Sequence, residues 1–191
     1  MKKTETERII RENEKRNNRI EAEYNPYTGV GSPLERVKLP LGRNEYLLIP
    51  KQMASLDCIK KILKKGGVAA YCPDPDKRET FVRELLRLRI AYDFEYWAAV
   101  CVRIQDKQTK QPVPFILRAP QRKLLGVMAG MLERGEPVRI ILLKARQWGG
   151  STVVQLFMAW IQLFHRKGWH SVIVADVEDQ ARNIKAMYSR M

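Results

Sequence analysis

Four residues, Gly149-Gly150-Ser151-Thr152, have the types and spacing to hold a phosphate. They stand where an apolar run, residues 139–143, meets a helical stretch, residues 153–164. Small residues let the backbone curl so that several N–H groups point inward, and a following helix adds the positive end of its dipole. A hydroxyl in the first helical turn, here Ser151, is placed to ligate Mg²⁺. Against the general pattern G-x-x-x-x-G-K-[ST], Gly149 and Ser151 fit, while Lys144 replaces the first Gly and Gly150 replaces the Lys. The phosphates would then draw a cation from Lys144 or Arg146, with Ala145, Gln147 and Trp148 forming the rest of the loop. The same residues also fit a tight turn between a buried strand and a buried helix, with glycine present only for packing. Both readings stand at this point.

The elements that must position this loop follow from hydrophobic periodicity. Residues 139–143 are short and rich in Ile and Leu, as a buried strand requires. A second apolar run, residues 172–175, ends in Asp176, and the two are the convincing core strands. Val177 separates Asp176 from Glu178, so the adjacent acidic pair of a Walker B strand is not formed. The helix over 153–164 is apolar nearly all round and must be covered on several sides. Upstream, residues 114–117 read as extended and enter a helix with Pro120 in its first turn. Gln121 in that turn carries an amide with both a donor and an acceptor, the equipment for pairing with an adenine edge.

Earlier in the chain the signals are local. Residues 25–33 are dense in turn formers and mark a boundary. Residues 36–39 and 46–49 suggest a hairpin, and residues 51–65 a helix with Leu56, Ile59, Ile62 and Leu63 on one face. Lys60, Lys61, Lys64 and Lys65 crowd the end of that helix, where cations suit the dipole. Residues 76–79 resemble a capping box opening a helix with Phe81, Leu85, Leu88 and Tyr92 inward. Tyr96 and Trp97, in an amphipathic segment over 94–104, read as core. Residues 1–24 are polar almost all round and read as a poorly ordered tail or as a solvated arm that docks on something else, with oriented Glu7–Arg11 and Glu12–Arg16 pairs. These boundaries divide the chain into an arm and linker (1–33), a helical and hairpin region (34–112) and a partial nucleotide-binding core (113–191).

Charge and composition narrow the function classes. The formal net charge is +14, which favours a polyanionic partner. Residues 1–24 hold seven basic and six acidic side chains, so nearly all of the surplus lies beyond them. No N-terminal apolar segment suggests a secretory signal, and no apolar stretch is long enough to span a bilayer. Cys58, Cys72 and Cys101 form no C-x-x-C and read as free thiols of a reducing compartment. His165 and His170 have no partners at metal-ligand spacing.

Residues 115–117 with Gln121, followed by Leu142-Leu143-Lys144-Ala145-Arg146-Gln147-Trp148-Gly149-Gly150-Ser151-Thr152, resemble the front of a large terminase subunit, the genome-packaging motor of tailed bacteriophages. The resemblance extends through Asp93-Phe94-Glu95-Tyr96-Trp97, through residues 171–176 and Gln180-Ala181, and weakly through residues 25–32. It implies an α/β chain: the N-terminal part of a P-loop NTPase domain with a RecA-like parallel sheet, preceded by a mostly helical region. It implies that Gln121 reads adenine, that residues 144–152 bind ATP with Mg²⁺ on Ser151, and that Lys144 is a phosphate-sensing lysine moved to the start of the loop. Lys144 and Arg146 would act on the transferring phosphate. The implied partners are double-stranded DNA, a portal protein, a small terminase subunit and further copies in a ring, in the cytoplasm of a bacterial host and away from membranes. Walker B and nuclease carboxylates would lie beyond residue 191, so this chain by itself is expected not to turn over ATP. Two alternatives remain: another P-loop helicase or ATPase, and a non-catalytic DNA-binding or assembly protein with a degenerate loop.

Overall fold

The structure is a computed structural model and describes residues 3–21, 23–106, 108–143, 148–175 and 177–188. It is mixed α and β, with helices predominating over two small antiparallel hairpins.

Residues 3–21 form a helix, α1 (Lys3–Glu21), that packs along α7 (Ala119–Glu133). The expected tail is therefore a docked element. The helix buries little apolar surface, which is why the sequence also allowed a tail: Ile20 is its buried apolar residue among those described, and Arg16 and Arg19 are among its partly buried ones. Arg19 donates to the Pro33 carbonyl at 3.0 Å, and the Arg16 side chain lies against Gly126 of α7. Within α1 the ion pair is Arg8–Glu12 at 3.9 Å, and Arg16 donates to Asn13 at 2.9 Å, in place of the expected Glu7–Arg11 and Glu12–Arg16 pairs.

The turn segment 25–33 is packed rather than free. Asn25 bridges to Val30, and its side chain accepts from the N–H groups of Tyr27 and Thr28. Gly29 has φ 87°, and a Cβ there would collide with the Leu48 carbonyl. Glycine allows this approach, and Thr28 can then accept from the Leu48 N–H at 2.8 Å.

The expected hairpin forms as β1 (Arg36–Pro40) against β2 (Tyr46–Pro50), antiparallel, with Val37 opposite Ile49. The single helix expected over 51–65 divides into α2 (Lys51–Ala54) and α3 (Asp57–Lys64). A short turn, α4 (Val68–Tyr71), follows. The long helix α5 (Pro75–Tyr92) is capped two residues before the expected cap at Asp76: Asp74 accepts from the Asp76 N–H at 3.1 Å, with Pro75 in the first turn. Leu39, Ile49, Met53, Ile59, Ile62, Val68 and Leu85 close one core between these elements, with Phe81, Leu88 and Tyr92 packed on it.

The second core lies between α6 (Phe94–Cys101), the hairpin of β3 (Arg103–Gln105) and β4 (Pro112–Pro114), α7, and α8 (Gly150–Phe164). Phe94, Trp97, Phe115, Leu117, Leu125, Val153, Leu156, Phe157 and Trp160 are buried together there. Phe94 meets Phe157 edge-on at 5.3 Å, and the Trp160 indole donates to the Ile90 carbonyl at 3.0 Å. The last helix, α9 (Glu178–Tyr188), lies beside α8.

The two expected core strands are not strands in this structure. Among the described residues no parallel pairing occurs. Ile141 and Leu143 are fully exposed, and Val172 and Val174 are more than four-fifths exposed. Their sequence identifies them as suited to a buried strand, but a strand also needs neighbours to pair with. Both described sheets are two-stranded hairpins built from other residues.

Candidate functional site

Two helix N-termini meet at the loop that the sequence singled out. α7 begins after an extended piece, and Pro120 sets its first turn. One residue later, Gln121 turns its amide toward the start of α8. Its Nε2 donates to the Trp148 carbonyl at 3.3 Å and the Gly149 carbonyl at 3.2 Å, and its Oε1 accepts from the Arg118 N–H at 2.9 Å. Gln121 is 4% exposed. The amide thus ties the first turn of α7 to the last loop residues before α8.

Gly149 makes that tie possible. Its φ is 80°, in the left-handed region, and a Cβ would sit 2.5 Å from Gln121 Nε2. Its carbonyl also accepts the first helical bond of α8, from the Val153 N–H at 3.2 Å. A Cβ on Gly150 would lie 2.8 Å from the Trp148 ring, so the indole covers the side of Gly150. A lysine there would have to displace the ring, which argues against restoring the usual pattern by Gly150→Lys.

Beyond the two glycines, Gly150 is buried, Ser151 is exposed and Thr152 is half-buried. The first N–H groups of an α-helix have no acceptor within the helix, and the macrodipole makes that end positive. No acidic residue occupies the first turn of α8 to neutralise it. This end can therefore receive an anion, with the Ser151 hydroxyl at its exposed rim. Lys144, Ala145, Arg146 and Gln147 lie outside the described residues, as does Asp176. The structure thus brings together Gln121, Trp148, Gly149, Gly150, Ser151 and Thr152. Gln121 does so with its amide already engaged, so pairing with an adenine edge would require it to exchange these bonds.

Gln155 lies one turn after Ser151 on α8 and so shares its side of the helix. It is 3% exposed, and neither amide atom has a partner among the described residues. Its polarity in an apolar helix was visible in the sequence, but its burial was not.

The sequence reading also missed a buried ionic cluster beneath the segment 25–36. Arg36 binds Asp93 through two bonds, at 2.5 and 2.9 Å, and reaches Glu95 at 2.6 Å. Arg89 donates to the same Asp93 at 2.8 Å and to the carbonyls of Tyr27 at 2.6 Å and Pro26 at 3.0 Å. Ser32 donates to Glu95, and Arg122 donates to the Gly31 carbonyl at 2.5 Å while lying over the Tyr24 ring. The Arg36, Asp93, Glu95 and Arg89 side chains are at most 5% exposed. Burial alone would raise the Asp93 carboxyl, but Arg36 and then Arg89 outweigh it and hold the group below its ordinary range. Burial and then the nearby Glu95 carboxylate push the Tyr24 phenol well up. The local hints were the two acids in the aromatic stretch 93–97 and Arg89 four residues before Asp93; the second cation, Arg36, is 57 residues away.

Among the described residues, no three His, Cys, Asp or Glu side chains gather as a metal-binding group, and no helix is long and apolar enough to cross a membrane. Comparison with known proteins returns no match, whether to family models, to curated proteins or to solved structures.

Proposed function

We propose that this chain is the nucleotide-binding part of a large terminase subunit, a motor that couples ATP hydrolysis to movement of double-stranded DNA into a capsid. The observation that carries the reading is the turn at the start of α8. A left-handed Gly149, a buried Gly150 and an exposed Ser151 open a helix whose first turn holds no acid. That is the chemistry of a phosphate cradle, and the residues before it resemble the terminase loop.

Each residue then has a task. Backbone N–H groups at Gly150 and Ser151 receive phosphate oxygens. Ser151 is the residue of the turn that would hold Mg²⁺, which when bound spreads the negative charge of the phosphates. Lys144 supplies the cation that Gly150 cannot, with Arg146 as its rival. Gln121 meets the base, trading its bonds to the Trp148 and Gly149 carbonyls for bonds to the adenine edge. The net charge of +14 suits a DNA partner, and the portal, small subunit and ring of copies follow from the family reading alone.

The test is ATP turnover by the full-length protein. Lys144→Ala is expected to lower it about a hundredfold or more in a protein that still folds, since stabilising a transferring phosphoryl group accounts for several kcal/mol. Near-normal turnover in folded Lys144→Ala, with Arg146→Ala inactive, would reassign the cation. One observation favours a second reading, a purely structural turn: the Gln121 amide has both its donor and its acceptor occupied by the protein. That reading requires that the full-length protein bind no ATP.

A further inference from the structure

Residues 36–71 carry eight basic side chains and two acidic ones. Two of those cations are engaged elsewhere: Arg36 is buried on Asp93 and Glu95, and Lys51 pairs with Glu35. The other six, Lys38, Arg43, Lys60, Lys61, Lys64 and Lys65, are exposed. Lys60 pairs with Asp57 at 3.7 Å, while Lys61, Lys64 and Lys65 form no ion pair among the described residues.

The fold draws these cations from two elements to one place. α3 is followed by Gly66 and Gly67, at φ 89° and 119°, whose N–H groups close on the carbonyls of Leu63 and Ile62. A Cβ on Gly67 would lie 2.6 Å from the Pro40 carbonyl, so the end of α3 abuts the end of β1. Pro40 stands opposite Tyr46 in the hairpin register, and Lys38, two residues back, shares their face. Lys38 lies over the Tyr46 ring at 4.3 Å, and Lys65 over the Tyr71 ring at 5.1 Å.

The helix dipole accounts for a cation at the end of α3, but not for four. Lys60 with Lys64, and Lys61 with Lys65, are like charges four apart, an arrangement that destabilises a helix. Such an acid-poor surface suits a polyanion. The rings favour contact with a phosphate backbone over base stacking: Lys38 covers Tyr46, and Tyr71 carries Lys65 and stacks on Phe81 at 5.5 Å. We propose that the end of α3 and the adjoining β1–β2 hairpin form the surface that holds the phosphate backbone of duplex DNA. The surface takes its DNA partner from the terminase reading, yet shares no residue with the loop before α8.

The experiment measures binding of a short fluorescent duplex of mixed sequence to the full chain by anisotropy, over a salt series. Affinity should fall steeply with salt, as counterions are released from the DNA. Replacing Lys61, Lys64 and Lys65 together by Gln should weaken binding about tenfold or more and lower the salt slope by about 2–3, one for each lost phosphate contact. Replacing Arg83 and Arg87 by Gln is the control, since both are exposed on α5 and already paired with Glu79 and Glu84. Its affinity should stay within about threefold of wild type, because distant exposed charges are screened. The proposal fails if the two variants weaken binding alike, which net charge alone would explain, or if the lysine variant binds DNA as wild type does. It fails equally if vesicles containing phosphatidylserine are bound and the duplex is not. Loss of DNA binding in the lysine variant alone supports the surface whether or not the chain binds ATP, so the nucleotide reading is judged separately by ATP binding.

Discussion

Asp93 shows how much of a buried site rests on one residue. It receives both Nη groups of Arg36 and the Nε of Arg89 while 1% exposed. An ion pair in such a place is often no more stabilising than a well-packed apolar substitute, but removing one partner strands the others. Asp93→Asn should therefore lower unfolding stability by about 3–5 kcal/mol, measured by denaturant titration at neutral pH. The pH dependence has a definite sign. The folded Asp93 carboxyl titrates below its ordinary value of 3.8. Its contribution is thus complete above that value and is lost as pH falls through the lower folded one. Wild type should lose stability steeply below about pH 4, and Asp93→Asn should lose less over the same range. Equal acid slopes in the two proteins would show that Asp93 is not held down by its arginines. The string Asp93-Phe94-Glu95-Tyr96-Trp97 was legible in the sequence as a feature, but its electrostatics were not. Arg89, four residues before Asp93, is a local partner at helical spacing, but nothing local announces that Arg36, 57 residues earlier, will be brought to the same carboxylate.

At the scale of elements, the sequence indicated well those structures that depend on near neighbours. The hairpin of β1 and β2, the helix α5 and the entry to α7 through Pro120 all have local signals, and all form. The docking of α1 had no such signal, because among its described residues Ile20 is the one buried hydrophobic and no apolar stripe marks the docked face. The join of α7 to α8 was half legible: Gln121 and Gly149 were singled out as nucleotide ligands, while their contact with each other was not foreseen. That contact gives a prediction independent of nucleotide. Gln121→Ala leaves the Trp148 carbonyl and the Arg118 N–H without their side-chain partner and relaxes the loop. Stability should fall by about 1–3 kcal/mol, and Gly149→Ala should match or exceed this, since it adds a Cβ where φ is 80°. The double variant should cost less than the sum of the two, because both break one contact. Additive losses would show that the glutamine does not hold the glycine turn.

For the whole molecule, the contrast is between two closed cores and two apolar runs that lie outside them. The cores account for α2 to α8 and leave residues 139–143 and 171–175 outside any helix or strand, with Ile141, Leu143, Val172 and Val174 largely exposed. A parallel pair could bury these side chains, and the proposed nucleotide-binding fold requires it, since the loop before α8 needs a fixed strand to hang from. Pairing through backbone hydrogen bonds is what slows amide exchange, so exchange measured residue by residue separates the two arrangements. In this chain the amides of Ile141, Leu142, Ile173 and Val174 should exchange at rates near those of an unfolded peptide. Those of Leu39 and Leu47, a register pair of the β1–β2 hairpin, should be protected. Added Mg²⁺ and ATP should then slow exchange in residues 139–143 if the loop draws its strand into place on binding phosphate. Protection of both runs before any nucleotide is added would overturn the arrangement described here and favour a sheet already formed. Protection of neither run, with or without nucleotide, in a chain whose β1–β2 hairpin is protected would leave the start of α8 as a turn without a strand behind it, and the nucleotide reading would fall with it.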